Sequence, residues 1–244
     1  MPAVPRTLLV AGERRRALVV DDASDVPERS DVALAYGLLS EPPPGWASLG
    51  ASLVLERPLR LAGALPIPVL LGGQPKKGFR AITVNDPRFS RMWGRFSVDV
   101  RAAIERDEKF IGPRVFDRAE ERGYRVFIME DGDRYAIRAV VVFTLKDSVG
   151  YVLELLHDRT VDGMKNAVEL LGHALHTMRA EGAHVARALS LPHAGAAPML
   201  RLHGFTRARH DRRELVVRAL DPSVEAVVYD PELWYASYLD LDDV

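Results

Sequence analysis

Glu154 sits in the middle of the apolar run YVLELL (Tyr151 to Leu156), between Leu153 and Leu155. A carboxylate with such neighbours has a raised pKa if its face is buried, which makes it an acid–base candidate. The alternation of Val152, Glu154 and Leu156 against Leu153, Leu155 and His157 leaves open which face is the core, so a polar residue turned to solvent is the other reading. His157 and Asp158 close the run, where an imidazole is placed for proton transfer and where a His-Asp pair is also ordinary loop. His193, after the run HVARALSL (His184 to Leu191), carries a similar choice between an acting imidazole and a helix cap or exposed ring.

Other polar groups point to less. His173 and His176 fall largely away from the apolar stripe of their helix, and no His-x-x-x-His on an apolar face has a matching acid, so no metal centre is expected. Arg207, Arg209, His210, Arg212 and Arg213 form a basic cluster suited to an acidic group, but without the interleaved aromatics of a nucleic-acid surface. Asp240, Asp242 and Asp243 read as solvated terminal charge or as a trap for a cation or amine. Trp234, Tyr235 and Tyr238 read as packing or dimer contacts, with a substrate cage as the alternative.

The whole-chain balance excludes several classes. With 33 basic and 34 acidic residues among 244, the net charge is −1, so no global field gathers nucleic acid or an anionic membrane. An apolar content of 48% is enough for a proper core. The lack of cysteine removes disulfides, thiolate ligands and a cysteine nucleophile. TLLVA (Thr7 to Ala11) is too short for a secretory core, and Gly12-Glu13-Arg14-Arg15-Arg16 after it reverses the charge order of a signal peptide. No run approaches the roughly 18 uninterrupted apolar residues that span a bilayer. The expectation is a soluble cytoplasmic protein with neither membrane nor nucleic acid as partner.

The secondary structure around these residues follows from period and punctuation. Up to about Arg80 the chain reads as short β segments: TLLVA, ALVV (Ala17 to Val20), DVALAYGLL (Asp31 to Leu39) and SLVLERPL (Ser52 to Leu59). The run from Gly72 to Gly78 reads as a linker, which divides a β-rich segment, 1–77, from a larger unit, 78–244. Asp86-Pro87 opens a helix whose apolar face is Phe89, Trp93, Phe96, Val100 and Ile104. YRVFIME (Tyr124 to Glu130) and the strand from Tyr135 onward flank a turn at Asp131-Gly132-Asp133. AVVVFTL (Ala139 to Leu145) and YVLELL form a hairpin around Lys146 to Gly150. A helix then starts at Asp162 as cap, with a stripe of Met164, Ala167, Val168, Leu171, Ala174, Leu175 and Met178, and ends at Gly182. After the strand His184 to Leu191, Pro198 keeps the next helix short, and FTRAR (Phe205 to Arg209) with ELVVRAL (Glu214 to Leu220) reads as a closing hairpin.

This order of strand, strand, long helix, strand, short helix and Gly204-Phe205 resembles the cofactor-binding half of the GNAT acyltransferase family. The loop Arg159-Thr160-Val161-Asp162-Gly163-Met164-Lys165 resembles the family's Gln/Arg-x-x-Gly-x-Gly/Ala in keeping an Arg and Gly163, with Arg159 one residue further from the Gly than the motif has it and Lys165 where a second small residue belongs. His193-Ala194-Gly195-Ala196 stands where the family has Asn-x-x-Ala, and Leu200 where it often has the Tyr that protonates the leaving thiolate. Arg106-Asp107, Arg114, Phe116 and Tyr124, with the ending LWYASYLDLDDV, resemble a tandem branch of the family; GWASLGASLVLERPL (Gly45 to Leu59) is then the tail of a first copy.

The resemblance implies an α/β fold, a mixed and centrally splayed sheet flanked by helices, preceded by the smaller β-rich segment. It implies an acyl-CoA-dependent N-acyltransferase, with acetyl-CoA or another acyl-CoA as cosubstrate and a small or peptidic amine as acceptor; a homodimer is the assembly that Trp234, Tyr235 and Tyr238 would serve as dimer contacts. Proton transfer then falls to Glu154, His157 or His193, and cofactor contacts to Leu155, Leu156, Arg159, Gly163, Met164 and Lys165. The departures at Lys165 and Leu200 imply the rival reading, a catalytically silent GNAT-like binding or assembly module.

Overall fold

The computed structural model describes residues 4–20, 30–37, 42, 44–67, 78–131, 136–191 and 196–240. Strands β1 (Val4–Val10), β2 (Glu13–Val20), β3 (Val32–Gly37) and β4 (Ala47–Pro58) come first, as the Pro- and Gly-punctuated runs dictate. Then follow β5 (Phe79–Ile82), helix α1 (Arg88–Phe96), β6 (Ala102–Ile104), α2 (Glu108–Ile111), α3 (Ala119–Arg122), β7 (Arg125–Glu130), β8 (Ile137–Lys146) and β9 (Val149–His157). The chain closes with α4 (Val161–Ala180), β10 (Val185–Ser190), α5 (Ala197–Leu202), β11 (Thr206–Ala219) and α6 (Glu225–Val228).

These strands join an 11-stranded mixed sheet ordered β5-β7-β8-β9-β10-β4-β11-β3-β2-β1-β6. Read outward from the β4–β11 pair, the order is palindromic. On one side β10 lies parallel to β9, which forms a hairpin with β8; on the other β3 lies parallel to β2, which forms a hairpin with β1. The strand that follows each parallel pair is exchanged, β4 lying beside β10 and β11 beside β3. The N-terminal segment therefore shares its sheet with the rest of the chain.

Local chemistry fixes the elements around β9. The β8–β9 hairpin turns on Asp147 and Ser148 at φ 50° and 62°, the left-handed pair that suits the strand twist. On α4, Ala167, Leu170, Leu171, Ala174, Leu175 and Met178 have no exposed surface and cover one face of β8 and β9. Each buried Leu contributes about 1.5–3 kcal/mol relative to exposure. Phe89, Met92, Trp93 and Phe96 of α1 cover the opposite face.

Several expectations are corrected. The first helix stops at Phe96 because Ser97–Asp99 tighten into a 3-10 turn and Val100 is extended; Ile104 is buried as part of β6, paired with β1. The stop has a sequence cause, since Val98 and Asp99 add poor helix formers to the last turn. Thr160, not Asp162, caps α4, its Oγ accepting the Gly163 N–H at 2.9 Å. Met164 is 43% exposed and lies off the core stripe, whereas His173 is buried against the Phe79 ring. The closing hairpin is instead the single strand β11, whose extra residues between Arg207 and Arg212 are absorbed as a bulge against β4. Residues 132–135 and 71–77, which hold most of the expected turn and linker, lie outside the described residues.

Candidate active site

The site is built on an opening in the sheet. Strands β9 and β10 pair in parallel from Val149–Val185 to Val152–Ala188, and among the described residues no β9–β10 pair follows. Both strands continue, β9 alongside β8 to His157 and β10 alongside β4 to Ser190, so it is their mutual contact that ends. A bulge falls at the same level. Val142 faces Glu154 and Phe143 faces Val152, which leaves Leu153 as an extra residue on β9.

The bulge also resolves which way Glu154 points. Leu153 and Leu156 join the core on the α1 side while Val152 and Leu155 join the core on the α4 side, and Glu154 is buried, only 1% exposed. Its solvent-facing reading is thus excluded. One carboxylate oxygen, Oε2, accepts from Arg106 Nε and Ser237 Oγ, each at 2.9 Å. The other, Oε1, accepts from the Tyr235 hydroxyl and from the Leu155 N–H at 3.1 Å. Four donors fill the lone pairs of one carboxylate.

Arg106 anchors this cluster. Wholly buried, it also donates to Asp240 Oδ2 at 2.6 Å, to Ser237 Oγ at 3.3 Å and to the Ile104 carbonyl, and it lies 5.3–5.9 Å from the ring centroids of Phe110, Tyr235 and Trp93. Burial alone pulls its pKa down, but the Asp240 and Glu154 carboxylates outweigh that and the net displacement is upward. Burial, then Glu154, push the Tyr235 phenol well above its ordinary value, so it stays a proton donor. Asp240, expected as solvated tail charge, is buried here.

Beyond Glu154, β9 ends at His157, which is buried with its ring edge toward Phe96 at 6.1 Å. Burial pulls its pKa below the ordinary imidazole value, so the ring is neutral. With Nδ1 donating to the Asp158 carbonyl at 2.6 Å, Nε2 keeps the lone pair. Asp158 turns inward under the start of α4, its Oδ2 accepting from Arg138 at 2.7 Å and its Oδ1 from Thr160 Oγ at 2.5 Å. Burial raises the pKa of this carboxyl, but Thr160 and Arg138 together hold it below the usual range. A Cβ on Gly163 would overlap Asp158 Oδ1 and its carbonyl oxygen. Gly163 therefore permits the inward carboxylate to pack against the first turn of α4.

Of the remaining loop residues, Arg159 stacks 4.6 Å over the Phe96 ring and donates to the Phe96 carbonyl at 2.9 Å, which ties the loop to α1. Lys165 is exposed and lies 3.4 Å from Asp162. Met164 and Lys165 line a groove of about 470 Å³ with Asn166, Val168 and Leu202. Leu155 and Leu156 are buried, on the α4 and α1 sides. His193 lies outside the described residues. Leu200 is packed in the core beneath α4 and brings no polar group to the opening.

The structure thus gathers Glu154 and His157 along one strand end. It adds four residues that no candidate list from sequence combined: Arg106, Tyr235, Ser237 and Asp240. Arg106, Tyr235 and Asp240 each drew notice singly, but pairing across separations of 48 and 134 residues leaves no local signal.

Among solved structures, the fold is similar to Saccharomyces cerevisiae N-myristoyltransferase with bound myristoyl-CoA, at a TM-score of 0.63 and 14% identity over 89% of this chain and 65% of that one. It is also similar to the GCN5-related N-acetyltransferase of Kribbella flavida, with TM-score 0.57 and 16% identity over 90% of this chain and 57% of that one. The GCN5-related N-acetyltransferase of Anabaena variabilis gives 0.58 and 10% over 89% and 58%. The chain therefore spans less than two thirds of the length of each of these proteins, and at such identities the likeness is one of fold. No family model matches the sequence. No curated protein matches it either. Among the described residues, no helix is long and apolar enough to cross a membrane and no cluster of His and carboxylates is arranged to hold a metal ion.

Proposed function

We propose that this chain, which has the fold of the GNAT N-acyltransferases, transfers an acyl group from acyl-CoA to an amine by direct attack in a ternary complex. The observation that carries the reading is the parting of β9 from β10 after Val152 and Ala188, at the bulge of Leu153. A strand edge that loses its neighbour offers N–H groups to a thioester carbonyl and to the oxyanion that develops when the amine attacks. The first turn of α4, with Gly163, Met164, Lys165 and the preceding Arg159, is the natural place for the cofactor's phosphates, because the helix dipole favours an anion there and Arg159 and Lys165 add positive charge, although the Gly163 N–H is already taken by the Thr160 cap.

The attacking amine must be neutral and must lose a proton as the carbon–nitrogen bond forms; the thioester carbon–sulfur bond then breaks, and CoA leaves as a thiolate that takes up a proton to become the free thiol. His157 suits that step, being held neutral by burial with its Nδ1 already committed. Glu154, with four donors on its carboxylate, suits the task of shaping the opened edge and of accepting a proton only when one donor leaves. The acceptor is a small or peptidic amine and the acyl donor acetyl-CoA or a longer acyl-CoA; all are soluble or dispersed co-substrates, which fits a cytoplasmic enzyme.

A second reading, a silent GNAT-like module, is favoured by one specific arrangement: the carboxylate of Asp158 already lies under the start of α4, where a phosphate would bring its own negative charge. Isothermal calorimetry with acetyl-CoA, followed by acyl transfer to a panel of spermidine, tyramine and a lysine-containing peptide, separates the two. The transferase reading expects binding and amide formation; a folded protein that binds no acyl-CoA leaves only the silent module.

A further inference from the structure

Every residue from Trp234 to Asp240 is buried, yet acyl transfer as described gives this segment no task. Its fastenings are concentrated on the part of β9 that β10 has left. The Tyr235 hydroxyl meets Glu154 Oε1 and lies 3.4 Å from the Leu155 carbonyl, while Glu154 Oε1 takes the Leu155 N–H. The backbone groups of Leu155 thus find side-chain partners where a neighbouring strand would have supplied backbone ones. Ser237 adds a hydrogen bond to Glu154 Oε2, and Arg106 grips the far end through Asp240. The aromatic ring of Tyr235 rests against Phe96 at 4.8 Å, so the hydroxyl is presented from a packed base.

We infer that Trp234–Asp240 is a latch on the opening, with Tyr235 as its bolt: acyl-CoA enters by displacing the Tyr235 hydroxyl from Glu154 and Leu155. The inference rests on the acyltransferase reading. Displacement frees the Leu155 carbonyl and one acceptor position on Glu154 Oε1, which keeps only the Leu155 N–H, and so gives that carboxylate the vacant position it lacks in the latched state. Because the ligand binds only the unlatched population, the latch lowers the apparent affinity by the fraction of molecules that are open. No bond is made or broken; hydrogen bonds within the chain are exchanged for hydrogen bonds to the ligand.

The test compares acetyl-CoA affinity by calorimetry for the full-length wild type, Tyr235→Phe and a control, Tyr229→Phe. The phenylalanine at 235 keeps the ring contact and removes both bolt contacts, whereas the Tyr229 hydroxyl accepts the Ala219 N–H at 3.1 Å in the other half of the sheet. Tyr235→Phe is expected to bind roughly tenfold more tightly, the worth of a hydrogen bond to a charged group, with the control unchanged. Hydrogen exchange of the wild type is the companion measurement: saturating acetyl-CoA should speed exchange in peptides spanning 234–240. Equal or weaker binding by Tyr235→Phe, or added protection of the segment on ligand binding, overturns the latch while leaving the transferase reading in place. If neither wild type nor Tyr235→Phe binds acetyl-CoA, both fall. Should the variant not fold, the exchange measurement on the wild type decides alone.

Discussion

Arg106 and Glu154 form an ion pair at 2.9 Å in which neither side chain has any exposed surface. Such a pair adds little net stability over a well-packed apolar one, but removing one member strands a buried charge, at about 3–5 kcal/mol. Arg106→Met strands two carboxylates, Glu154 and Asp240, and should cost about that much. Glu154→Gln should cost less, because Asp240 still faces the guanidinium. Urea unfolding of both variants and of the double variant checks the claim through the coupling between the two changes. Additivity within about 0.5 kcal/mol would mean that the pair does not act as a unit.

Legibility followed the range of the interactions. The β8–β9 hairpin, α4 and β10 were readable because their signals are local: an Asp-Ser turn, an apolar stripe ended by Gly182, a run of apolar residues. The opening that forms the site was legible only through the family resemblance, since nothing in Tyr151–Leu156 states which neighbour departs. The exchange of β4 and β11 was not legible at all, because strand partners that far apart in sequence are chosen by the fold as a whole. Two apolar coincidences misled. Val100 and Ile104 keep the helical spacing of α1 yet belong to the extended chain after it, and Met164 keeps the stripe of α4 but is 43% exposed and lines a surface groove.

Gly163 and Asp158 supply a second double-variant experiment. Gly163→Ala places a Cβ against the Asp158 carboxylate and carbonyl, and since the carbonyl belongs to the backbone the clash cannot be relieved by a side-chain rotation alone. A loss of about 1–3 kcal/mol is expected, as for other overpacked sites. Asp158→Ala in the same chain should recover only the side-chain part of that loss. Thermal unfolding of the four proteins measures it, and a Gly163→Ala variant as stable as wild type would show that the loop shifts freely.

Acid should weaken the fold in the imidazole range. His157 and His203 both have folded pKa values below the ordinary one, chiefly through burial. Below about 6.5, the ordinary imidazole value, the unfolded chain binds protons that the folded chain refuses, so stability rises with pH across that window. The contribution is whole above about pH 6.5 and is lost as the pH falls through the folded values. Urea midpoints between about pH 7.5 and about pH 5 should fall in wild type, and fall less in His203→Gln, whose amide has no such titration. A midpoint that is flat over this range in wild type contradicts the assignment.

Restoring a tyrosine at position 200 should not restore the family's proton donor. Leu200 is 1% exposed among Ala196, Met199 and Phe205 in the core below α4, and its position holds it there: the His203 and Phe205 N–H groups both close on its carbonyl. A phenol at that place must either enlarge a packed core, at about 1–3 kcal/mol, or rotate the short helix α5 out of register. Leu200→Tyr is therefore expected to lower the unfolding midpoint without raising the rate of acyl transfer. A variant that is both stable and faster would show that α5 presents this side chain to the opening, and would return the leaving-group proton to the short helix.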